Sequence, residues 1–137
     1  MKRVILFMKN NYASFVLIYL SFLVLSGTAN AERLVREFNG NKSITTAEFV
    51  VKEPWILDWR VNSNFKESMG LEVSLVDAKT GFLIGRILKT KYAGNGVKMF
   101  NKDGRYRLRI SSSLTNWNFK IKELSVDEAD SYSAKSQ

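Results

Sequence analysis

The sequence predicts an all-β protein: a single antiparallel β-sandwich of about eight strands. Three observations carry this. Beyond residue 31, apolar residues recur with period two almost throughout. Clusters that favour turns, such as Asn39-Gly40-Asn41-Lys42, Ala78-Lys79-Thr80-Gly81 and Asn101-Lys102-Asp103-Gly104, separate the alternating runs. The alternation is one-sided, which gives each sheet one dry and one wet face, and two dry faces packed together make a sandwich.

The elements follow in order. Arg33 to Phe38 is a short first strand, closed by the turn at 39–42. In Thr45 to Val51, Ala47, Phe49 and Val51 share a face, and Glu53-Pro54 ends the run at the only proline of the chain. Trp55 to Asn62 alternates most cleanly, with Trp55, Leu57, Trp59 and Val61 opposite Asp58, Arg60 and Asn62. Ser63 to Gly70 reads as a polar loop. Leu71 to Asp77 turns Leu71, Val73 and Leu75 inward, and Gly81 supplies the positive φ of the next hairpin. Phe82 to Thr90 returns, with Gly85 marking a bulge. Tyr92 to Val97 reads as a flexible glycine-rich loop before a short strand to Phe100. Arg105 to Ser111 alternates Tyr106, Leu108 and Ile110 with three arginines. Trp117 to Val126 closes the domain with Trp117, Phe119 and Ile121 on one face, and residues 127–137 read as a polar, frayed tail.

The first 31 residues have another character. Lys2, Arg3 and Lys9 precede an uncharged apolar run from Ala13 to Ser26, and Ala29-Asn30-Ala31 has the A-x-A form of a signal-peptidase site. The expected organisation is therefore a signal peptide at 1–31, a sandwich at 32–126 and a tail at 127–137, with export to the periplasm or medium. An uncleaved anchor is the rival reading. The apolar run is shorter than the roughly 20 residues a spanning helix needs, and the small residues favour cleavage.

Composition excludes much chemistry. There is no Cys and no His, which removes thiol nucleophiles, imidazole bases and the usual zinc ligands. Glu48, Glu53, Asp58, Glu72 and Asp77 show no pairing suited to acid–base hydrolysis, so no catalytic activity is expected. No cofactor is expected either. Asp77 and Asp103 sit in turns, but no D-x-[DN]-x-[DN]-G calcium loop occurs. The chain is basic, 21 Lys and Arg against 13 Asp and Glu, and three of those cations lie in the leader.

The order Phe38-x-Gly40, Thr46-x-x-Phe49-x-Val51, Pro54-Trp55-x-Leu57-x-Trp59, Leu71-x-Val73-x-Leu75-x-Asp77, Gly104-x-Tyr106-x-Leu108-x-Ile110 and Trp117-x-Phe119-x-Ile121 resembles small exported jelly-roll domains, those of the bacterial pre-peptidase C-terminal and CUB-like types. The resemblance implies an eight-strand jelly roll and a binding or accessory role. It carries over no functional residue, and the disulfide and calcium site common in CUB domains have no counterpart here.

Three constellations are candidates for function. Trp55, Trp59 and Trp117 suit a sugar-stacking platform if exposed, but their alternation with Leu57 and Val61 places them in the core. Asp58 and Arg60 suit a surface ion pair. The strongest candidate is basic: Arg105, Arg107 and Arg109 on one side of one strand, Lys120 and Lys122 on one side of the last. Were these strands adjacent, five cations would share an outer face able to bind phosphate, sulfate or carboxylate, with Arg86, Lys89 and Lys91 as extensions. The expected partners are anionic lipid, acidic glycan or a protein; nucleic acid is not expected. The function expected is a non-catalytic exported binding domain. The alternative is a small periplasmic inhibitor or immunity-type protein, with Ser63 to Gly70 as its contact loop.

Overall fold

The computed structural model describes residues 32–135. The signal peptide expected at 1–31 lies outside the described residues. Nine strands and one helix are present among those described: β1 (Arg33–Gly40), β2 (Ile44–Thr45), β3 (Phe49–Val51), β4 (Trp55–Asn62), β5 (Gly70–Asp77), β6 (Leu83–Thr90), β7 (Gly94–Phe100), β8 (Gly104–Ser113), β9 (Asn116–Glu123) and α1 (Val126–Lys135). No helix among the described residues is long and apolar enough to cross a membrane.

The strands form two antiparallel sheets packed face to face. Sheet A has the order β1-β9-β4-β7, and sheet B has β2-β8-β5-β6 with β3 also paired to β8. Taking β2 and β3 as one interrupted strand, the sheets read 1-8-3-6 and 2-7-4-5. This interlocked double Greek key is the jelly-roll order.

The interruption explains why nine strands appear where about eight are expected. Thr46 leaves the ladder, and its hydroxyl accepts the Leu108 amide at 3.0 Å while its own amide donates to the Leu108 carbonyl at 2.9 Å. A side chain thus replaces one backbone rung, and the buried polar groups stay paired.

The core matches the alternation. Phe49, Val51, Trp55, Leu57, Val73, Leu75, Tyr106, Leu108, Ile110, Trp117, Phe119 and Ile121 are buried between the sheets. Both buried indoles find an acceptor, Trp55 on the Lys102 carbonyl at 3.0 Å and Trp117 on the Lys42 carbonyl at 3.3 Å. Trp55 stacks on Phe100 with centroids 4.1 Å apart. Trp55 and Trp117 are core and the half-buried Trp59 packs against it, so the three form no exposed platform.

Two segments differ from the sequence reading. The glycine-rich run at 94–97 is strand, not flexible loop: Gly94 and Gly96 pair with Val61 and Trp59 along β4. Residues 126–135 form α1 rather than a frayed tail. Its start carries a capping box: the Glu128 amide donates to Ser125 Oγ at 3.2 Å, and the Ser125 amide donates to Glu128 Oε2 at 3.0 Å. Asp127 and Glu128 also complement the helix dipole. The S-x-x-E signal is visible in the sequence, but the polar composition of the segment obscures it.

The helix has a docking point. Ile56 faces outward on β4, in register with Lys122, yet is 0% exposed. An outward side chain is buried only where something lies over the sheet. The Leu124 amide donates to the Pro54 carbonyl at 2.9 Å, which brings the chain to the start of β4 just before α1 begins. The Tyr132 hydroxyl donates to Glu32, beside Lys122.

Candidate functional site

The cations singled out in the sequence do not share a face. Strand β8, with Arg105, Arg107 and Arg109, is central in sheet B; β9, with Lys120 and Lys122, is central in sheet A. Consecutive strands joined by a short turn need not pair, and in a jelly roll this connection crosses between sheets. The two rows therefore point to opposite sides of the sandwich.

Their surroundings differ as well. On sheet A, Lys122 Nζ lies 3.1 Å from Glu32 and 3.3 Å from Asp58, and Lys120 stands in register between Glu37 and Asp58. Burial works against the Lys122 charge, but the hydrogen bonds to Glu32 and Asp58 outweigh it and raise its pKa. With Arg60, this face carries three cations against three carboxylates. Asp58 thus pairs with Lys122, not with Arg60 as expected. Lys122 is the diagonal neighbour of Asp58 across β4 and β9, a spacing of about 7–8 Å that a long lysine stem spans.

Sheet B keeps its charge. Arg105 Nη1 lies 3.2 Å from Glu48, and Arg107 Nη2 lies 4.0 Å from the same carboxylate while Arg107 Nη1 donates to the Thr46 carbonyl. Next along the face, Ser74 is in register with Arg109 on one side and Arg86 on the other. Directly opposed residues share a face, and two strand spacings put the arginine Cα atoms about 10 Å apart. Two guanidinium arms rise on either side of one small hydroxyl, an arrangement able to close on an anion from both flanks. Lys89 follows, opposite Glu72. Five cations (Arg86, Lys89, Arg105, Arg107, Arg109) thus stand against two carboxylates, Glu48 and Glu72. Arg86 and Lys89 join the patch because bulges on β6 fall between the partners of Val73 and Ser74 and of Leu75 and Val76, which sequence alternation alone cannot place.

A cleft of about 630 Å³ opens where the β3–β4, β5–β6 and β7–β8 connections meet. Val50, Ile84 and Phe100 give it apolar walls, and Lys52, Lys79 and Lys102 are at its rim. Its two carboxylates are committed to backbone: Asp77 Oδ1 accepts the Lys79 amide at 2.8 Å, and Asp103 Oδ1 accepts the Glu53 amide. Tyr106 lies at its base; burial foremost, then Asp77 and Asp103, push its hydroxyl pKa up. Among the described residues no three acidic side chains converge as a metal site requires.

The loop Ser63–Gly70 is held at both ends. Ser63 and Met69 are buried, the Ser63 hydroxyl donates to the Leu114 carbonyl, and the Phe65 amide donates to Ser63 Oγ at 2.9 Å. Phe65 itself is exposed.

No protein-family model and no curated protein matches the chain.

Proposed function

We propose that the protein is a non-catalytic, exported binding domain that takes anionic groups on the outer face of sheet B. One observation supports this most: the two outer faces of the same sandwich are charged differently. On sheet A three carboxylates (Glu32, Glu37, Asp58) stand against Lys120, Lys122 and Arg60, whereas sheet B gathers Arg86, Arg105, Arg107, Arg109 and Lys89 against Glu48 and Glu72 alone. Like charges so placed repel, so the arrangement costs stability that an anion returns.

The test is retention on a sulfated polysaccharide column. The wild-type protein is held at low salt and released as ionic strength rises. The variant Arg86→Ser/Arg109→Ser elutes early, whereas Lys120→Ser elutes with wild type. Equal retention of all three overturns the assignment of this face.

The inhibitor or immunity reading is favoured by the pinned loop presenting Phe65. It predicts a single protein partner that survives high salt and is lost in Phe65→Ser.

A further inference from the structure

We propose that the turn end of the β5–β6 hairpin is a membrane-contacting tip, with Phe82, Leu83 and Ile84 entering the surface of an anionic phospholipid bilayer while Arg86 and Arg109 hold its phosphates. This rests on the anion-binding reading of sheet B and names its partner.

Three consecutive large apolar side chains are exposed here, Phe82 by 75%, Leu83 by 57% and Ile84 by 54%. Such a run is unfavourable on a surface that meets only water. The backbone shows why the core does not absorb it. Strand β6 is the outermost strand of sheet B. Phe82 opposes Asp77, whose amide donates to the Phe82 carbonyl at 2.9 Å, so it lies on the inner side of the sheet. Leu83 opposes Val76 on the outer side, in the same row as Arg107. Ile84 occupies a bulge and lines the cleft. The strand end is apolar on both sides, and a two-layer sandwich covers only one.

The order of chemistry along the hairpin matches a bilayer boundary. Apolar residues sit at the end, Arg107 is level with Leu83, and Arg86, Arg109 and Lys89 are set back along the strands on one side. From Leu83 to Arg86 is three residues, no more than about 10 Å of strand. Interfacial segments bury their apolar face by about 5–10 Å beneath the headgroups, so Arg86 would stand at phosphate level when Leu83 is submerged. Lys79, in the turn, has a long stem that reaches back to the headgroups. The surplus of cations complements anionic lipid.

The experiment uses the protein as its cell processes it, with the N-terminus read by mass spectrometry. Co-sedimentation with phosphatidylglycerol/phosphatidylcholine vesicles is compared with phosphatidylcholine alone, and the same samples are run on the sulfated polysaccharide column. Wild type is expected to sediment with the anionic vesicles only. F82S/I84S should partition at least tenfold less while keeping its column retention; both side chains are exposed, and near-ultraviolet circular dichroism checks the fold. R86S/R109S should lose both. Sedimentation of F82S/I84S at the wild-type level overturns the tip. A wild-type protein held by the column but indifferent to vesicles overturns the tip and leaves the anion-binding face standing. Loss of both binding modes in wild type overturns both. A wild-type dimer that F82S/I84S dissociates, without vesicle binding, assigns the apolar end to a second copy instead.

Discussion

Gly96 on β7 stands directly opposite Trp59 on β4, and a Cβ at Gly96 would come within 2.7 Å of Trp59 Cζ2. The indole lies across the glycine. The same relationship recurs at the other edge of sheet A, where Gly40 on β1 opposes Trp117 on β9 and a Cβ would meet its Cζ2 at 2.9 Å. Each edge strand of this sheet thus gives up a side chain so that a tryptophan from an inner strand can cover its backbone.

Gly96→Ala is therefore expected to destabilise the fold by about 1–3 kcal/mol, the range for overpacking. In a Trp59→Ala background the same change should cost little. Urea unfolding of the four proteins of this cycle measures the coupling. Additive losses would show that the ring contact is not the cause.

The Tyr132–Glu32 contact makes α1 docking depend on pH at both ends. The hydrogen bond to Glu32, with burial and the nearby carboxylates, raises the Tyr132 pKa from 10.0 to about 12. A raised folded pKa means that this stabilisation is complete below about 10 and lost as pH climbs through 12. The hydrogen bonds from Tyr132 and Lys122 lower the Glu32 pKa below 4.5 despite partial burial. Its contribution is present above 4.5 and lost as pH falls through the lower folded value. Absorbance titration at the phenolate band should show a high-pH phase that disappears in Tyr132→Phe.

Ser125→Ala removes one half of the capping box and should cost about 1 kcal/mol of helix stability. If α1 is what covers the buried, outward-facing Ile56, the amide of Ile56 should exchange faster with solvent in this variant. Unchanged exchange would mean that Ile56 is covered independently of α1.

Leu114, between β8 and β9, has φ 50°, a left-handed conformation costly for a side chain. Leu114→Gly should be neutral or stabilising by up to about 1 kcal/mol. Thermal unfolding would show whether the turn keeps its Ser63 contact.

Glu48 is the carboxylate nearest to Arg105 and Arg107. Its conversion to Gln leaves five cations of that face against Glu72 alone, and polyanion affinity should rise about threefold at low salt, the gain fading as salt screens it. An unchanged affinity would place the anion elsewhere on the protein.

Much of the architecture was readable along the chain. Period two in Trp55–Asn62, Leu71–Asp77, Arg105–Ser111 and Trp117–Ile121 named the inward residues of four central strands, because a strand exposes alternate faces and only one could be dry. The turn at Ala78–Gly81 was legible from its glycine, whose φ is 75°. Pairing was not legible. Alternation says which side of a strand is wet but not which sheet the strand joins, so the arginines of β8 and the lysines of β9 looked like one patch until the crossover between sheets parted them. The charge each row keeps was hidden for the same reason. Glu32 and Asp58 reach Lys122 from sequence separations of 90 and 64 residues, while Arg86 meets Arg109 across Ser74 only through the bulged register of β6. Periodicity is a local property of the backbone, whereas neutralisation and clustering of charge depend on contacts between distant segments, which exist only once the two sheets have closed.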